Sequence, residues 1–157
     1  MAKQSDFTPE QWKALMAGPM AAGMYVVLSQ LSGPVGLVEE SWAIGKEILQ
    51  ATHSPNELVK EVAEAAHASA RHLLPSMPGD RQKARGLLLD NIRDAMAALG
   101  QEPADADAYG QWVQTVAEKT AAAAREGGFL GIGGTAVTPA EKAALDELAA
   151  VVRGPRT

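Results

Sequence analysis

Ala14-Leu15-Met16-Ala17-Gly18-Pro19-Met20-Ala21-Ala22-Gly23-Met24-Tyr25-Val26-Val27-Leu28 opens a run with no charged residue that lasts from Ala14 to Val38, 25 positions. Length alone would let it cross a bilayer, which needs about 20 apolar residues. Its content points elsewhere. Gly18-Pro19, Gly23, Ser29-Gln30 and Ser32-Gly33-Pro34 dilute it, and the last group reads as a turn. A helix that is apolar on nearly every side is also what the middle of a helical bundle requires. The run is therefore read as a central buried helix, and a membrane span is set aside. A kink is expected at Gly18-Pro19, because Pro19 removes one backbone hydrogen bond.

Helix-start signals flank this run, and no strand pattern competes with them. Thr8-Pro9-Glu10-Gln11 places Thr at the N-cap, Pro at the first helical position and Gln where a capping box needs it. Phe7 and Trp12 stand at the spacing of a hydrophobic staple. Ser54-Pro55-Asn56-Glu57 and Thr138-Pro139-Ala140-Glu141 repeat the same grammar. The reading is all-α: one domain over 1–157, a bundle of about six helices at 9–30, 34–52, 55–74, 81–99, 104–126 and 139–152. A Gly-rich loop precedes the last of them.

The 3.6-residue period supplies the inner faces. The second helix offers an arc of Leu37, Val38, Trp42, Ile44, Ile48 and Leu49. The third offers Leu58, Val59, Val62, Ala66, Ser69 and Leu73, and the fourth Leu88, Ile92, Ala95, Met96 and Leu99, with Gly100 as C-cap. Tyr109, Trp112, Val113, Val116, Thr120 and Ala124 form the stripe of the fifth.

Composition narrows the function. Of the 157 residues, 46% are hydrophobic and only 4% aromatic, so the core is built from Ala, Leu, Val and Met. The net charge of -5 disfavours nucleic acid, which needs a basic surface. The local trio Arg81, Lys83 and Arg85 reads as a solvated helix turn. The absence of cysteine removes disulfides, thiolate chemistry and Cys-ligated zinc. With no signal-peptide core behind Met1-Ala2-Lys3, the expected location is cytoplasmic.

Three features carry the functional expectations. The first is Gly127-Gly128-Phe129-Leu130-Gly131-Ile132-Gly133-Gly134, a glycine-rich, apolar loop ahead of a helix start. A phosphate loop would end in Gly-Lys-Ser or Gly-Lys-Thr and follow a strand; neither holds here. The loop is read as a helix cap pinned by Phe129, Leu130 and Ile132, with a lid or docking loop as the functional alternative. The second is the ridge Met16, Met20 and Met24, four apart, next to Trp12. Such ridges fill cores and also line adaptable grooves.

The third is Glu64-Ala65-Ala66-His67, with Glu61 one turn earlier. Its Glu-x-x-His spacing occurs in carboxylate metal bundles. By helical phase Glu64 and His67 face outward, toward solvent or a partner subunit, and a surface ion pair is the plainer reading. No catalytic constellation and no cofactor is expected.

The leading expectation is a protein that acts by binding a protein partner or itself as a homo-oligomer. Two alternatives stand beside it. One is an apolar small-ligand pocket between the first helix and the Gly-rich loop. The other is a metal site using Glu61, Glu64 and His67 across a dimer.

Overall fold

The computed structural model describes residues 1–29, 34–73, 76–100, 102–126 and 138–154, with 34–40 and 124–126 described by backbone alone. Six α-helices follow one another: α1 (Pro9–Ser29), α2 (Pro34–Ala51), α3 (Glu57–Ser69), α4 (Arg81–Ala98), α5 (Pro103–Glu126) and α6 (Pro139–Arg153). Single 3₁₀ turns lie at Gln4–Asp6 and Ala70–His72. No strand occurs among the described residues. The architecture is the helical bundle that the capping grammar and the 3.6-residue period imply.

Two helix starts form as their sequences dictate. The Gln11 N–H donates to Thr8 Oγ1 at 3.2 Å, and the Thr8 N–H donates back to Gln11 Oε1 at 2.9 Å. Thr138 and Glu141 exchange the same pair of bonds at 3.2 and 2.8 Å. Each pair satisfies two N–H groups that a helix end would otherwise leave open. The Phe7 and Trp12 rings meet at 6.0 Å and staple the entry to α1.

The third start differs from expectation. α3 begins at Glu57, not at Pro55, with Asn56 as N-cap and its side chain accepting from the Val59 N–H at 2.9 Å. Ser54 instead accepts from the Asn56 N–H at 3.2 Å, which folds Pro55 into the turn. α3 also ends at Ser69 and tightens into the 3₁₀ turn at Ala70–His72. Leu99 rather than Gly100 is the C-cap of α4, and among the described glycines only Gly154, at the end of α6, takes a positive φ, +63°.

α1 occupies the middle and packs against all five other helices. Its small residues allow this. Ala17, Gly18, Ala21, Ala22 and Gly23 are all buried. A Cβ on Gly18 would collide with the Tyr109 hydroxyl of α5, and one on Gly23 with the Ile44 side chain of α2. α1 runs unbroken through Pro19. The missing Pro19 N–H leaves the Leu15 carbonyl without its helical donor, and the buried Tyr109 hydroxyl donates to that carbonyl at 2.7 Å. No helix among the described residues is long and apolar enough to cross a membrane.

Two sequence expectations about exposure are corrected. On α2, Ile44 and Ile48 are buried, but Trp42 is 68% and Leu49 49% exposed. At 100° per residue both lie about 140–160° around the helix from Ile44, so one buried stripe cannot hold them all. Arg85 is not a solvated residue of a basic turn. It stacks 4.8 Å from the Tyr25 ring centre, donates to Tyr25 Oη at 2.8 Å and pairs with Glu147 at 3.4 Å. Tyr25 donates in turn to Glu147, so this cluster joins α1, α4 and α6. Ala124 and the Leu37–Val38 end of the α2 arc carry side chains outside the described residues.

Candidate functional site

Where α1, α2 and the end of α3 diverge, they leave a groove of about 250 Å³. α1 contributes Met20 and Met24, one turn apart, both half-buried against the core. α2 contributes Ile44 and Ile48 from its buried stripe, with Gly45 and Ser41 beside them. His67 and Ala70 close the third side. Nothing stands within 4 Å of where a Cβ on Gly45 would be. The groove is open there because this residue has no side chain.

The groove has two unlike ends. α2 and α3 are packed neighbours joined by the turn between Ala51 and Glu57. Ser41 lies ten residues before that turn and His67 ten residues after it. At 1.5 Å per residue, both stand at the same height, about 15 Å from the turn. The two polar lining side chains therefore share the far end, and the walls from there toward Ile48 and Met20 are apolar. His67 is exposed and has no hydrogen-bond or ion-pair partner among the described residues.

The exposed face of α2 continues from the groove. Trp42 and Leu49 are seven residues apart and share a side of the helix, with Gly45 between them and the groove. Lys46 Nζ lies 5.2 Å from the Trp42 ring centre and covers part of it.

Set against known protein families, curated proteins and solved structures, this chain matches none.

The sequence-derived candidates separate accordingly. Met20 and Met24 line the groove. Met16 is half-buried on the core elsewhere, and Trp12 is buried beside Phe7 rather than in the groove. The loop Gly127, Gly128, Phe129, Leu130, Gly131, Ile132, Gly133 and Gly134 lies outside the described residues. So does the pocket expected between it and the first helix.

Glu64 and His67 are exposed, as their helical phase implies, yet no ion pair joins them among the described residues. Glu61 accepts from the Gln4 N–H at 3.1 Å, which ties the N-terminal segment to α3. No three of His, Asp and Glu among the described residues stand close enough within one chain to hold a metal ion.

Two further hollows are more polar. One, of about 440 Å³, lies between α4, α5 and the end of α6 around Met96, Gly110 and Val152. The other, of about 390 Å³, lies beside the α2–α3 turn around Asn56 and Trp112, whose buried indole N–H has no partner among the described residues. Asn56 and Asp105 next to it are committed to structure. Asp105 is buried and accepts from Asn56 Nδ2 at 3.1 Å and from the Ala2 N–H at 2.7 Å.

Periodicity could not reveal the groove, since its walls come from three helices that sequence reading treats one at a time. Gly45, inside an otherwise good helix, was the local signal. A mid-helix glycine is costly by about 1 kcal/mol and marks either a close approach or an open space.

Proposed function

We propose that this protein binds a small, largely apolar molecule in the groove between α1, α2 and α3, and acts through that binding. The observation that carries the reading is the groove itself, about 250 Å³ walled chiefly by methionine and isoleucine side chains. Methionine adapts its shape to varied occupants. Ligand sites are mostly apolar hollows with a few polar groups, as here. An apolar cavity of about 150 Å³ admits benzene. By that scale this groove suits a fused two-ring aromatic or a chain of about eight to ten carbons.

Titration with 2-naphthol, followed by its own fluorescence, tests this. One saturable site per chain is expected. Gly45→Phe, which fills the opening, should weaken binding at least about tenfold with an unchanged melting temperature. No saturable binding to the unaltered protein would overturn the reading.

A second reading rests on Trp42 and Leu49. Large apolar side chains exposed on one helix face suit a protein partner, a second copy of this chain included. Sedimentation over a hundredfold range of concentration tests self-association. A dimer that Trp42→Ser dissociates supports it, whereas a monomer throughout removes self-association from consideration.

A further inference from the structure

We infer that the groove's ligand is an amphiphile with a carboxylate head, seated with the head at the Ser41–His67 end and its apolar body toward Ile48 and Met20. This rests on the binding reading above and adds the ligand's chemistry and direction. The first ground is polarity. The antiparallel register of α2 and α3 puts both polar lining groups at one end, so an occupant polar at one end alone matches the walls. An occupant polar at both ends would strand a polar group against Met20 and Ile48, which is unfavourable without a hydrogen-bond partner.

The second ground is charge. Among the described residues, His67 is the only ionisable side chain lining the groove. Its ring N–H groups can donate and, when protonated, carry positive charge. Those groups are unspent among the described residues. Glu64, one turn earlier on α3, is exposed and does not engage His67, and Arg71, four residues after His67, is exposed as well. No carboxylate among the described residues lines the groove to repel an anionic head. An ammonium head would find no acceptor of opposite charge on these walls.

The third ground is size. A body of about eight carbons fills the apolar length and leaves the head at the rim, where it stays partly hydrated. A carboxylate tolerates that position far better than burial.

The probes are octanoate, 2-naphthoate, octanol and octylamine, titrated calorimetrically into the full chain and into His67→Gln and His67→Lys. Both substitutions sit at an exposed position, so folding is undisturbed. Octanoate is expected to bind about five- to tenfold tighter than octanol, the effect of one charge-assisted contact, and octylamine weakest. His67→Gln should bring octanoate to parity with octanol while leaving octanol within about twofold. His67→Lys should keep the acid's advantage.

Octanoate against 2-naphthoate separates a chain-shaped body from a ring-shaped one. Octanol binding as well as octanoate, or an acid preference that survives His67→Gln, would overturn the carboxylate head and leave the binding reading standing. If none of the four binds while 2-naphthol does, the carboxylate head falls; if 2-naphthol fails as well, the binding reading itself falls.

Discussion

Gly18 and Tyr109 occupy one shared space: the phenol oxygen of α5 sits where a side chain on residue 18 of α1 would have to go. Gly18→Ala must push back the buried ring or part the two helices. Overpacking of this kind destabilises by about 1–3 kcal/mol. Urea unfolding should show a lower midpoint with unchanged slope. A variant as stable as the parent would mean that α1 and α5 stand further apart.

The same phenol answers for Pro19. Tyr109→Phe leaves the Leu15 carbonyl buried without a donor, a loss of about 1–3 kcal/mol. In a Pro19→Ala background, the substituted residue supplies its own N–H to that carbonyl. The tyrosine substitution should then cost at least about 1 kcal/mol less. A double-mutant cycle measures this coupling, and equal losses in both backgrounds would refute the assignment. Pro19→Ala alone should gain far less than the ~3 kcal/mol typical of an interior proline, because the surroundings already compensate for it.

Alkaline pH should expose the buried phenols. Burial raises the Tyr109 pKa above its ordinary 10.0. Burial and the bond to Glu147 raise that of Tyr25, partly opposed by Arg85. A raised folded-state pKa means that this stability is complete below pH 10 and lost as pH climbs beyond it, while the unfolded chain ionises and the folded one does not. Each such group contributes up to about 1.4 kcal/mol per pH unit. Between pH 10 and 12, Tyr109→Phe should lose stability more slowly than the parent in chemical denaturation. Parallel curves would count against the burial of this ring.

Two glycines should respond in opposite ways to alanine. A Cβ on Gly86, exposed on α4, meets nothing within 4 Å, and Gly86→Ala should raise stability by about 0.4–1 kcal/mol. A Cβ on Gly23 would run into Ile44, and Gly23→Ala should lower it. Thermal melts of the pair check the sign at each site. A gain at both would show that α2 yields freely against α1.

The helices were legible because their starts are written locally. Thr8, Gln11, Thr138 and Glu141 need only each other, and each pair forms as read. Asn56 was not legible because Ser54, Pro55 and Asn56 can all begin a helix, and a bond between two of them decided which did. Hydrophobicity alone points Trp42 and Leu49 inward, but geometry around one helix admits only so wide a buried stripe. The groove was the least legible part. Met20, His67 and Gly45 come together through packing, and no spacing within one helix encodes that meeting.

α1 precedes in the chain the two helices it packs against most, α4 and α5. Its principal neighbours, α4 and α5, are translated only after α2 and α3, and α5 is complete at Glu126. At roughly 5–20 residues per second of synthesis, the faces of α1 that α4 and α5 cover wait about 5–20 seconds for these partners. During that interval the ribosome-bound chain presents part of an apolar segment to water. Overexpression yield should therefore depend on elongation speed and holdase supply more than on the stability of the finished bundle.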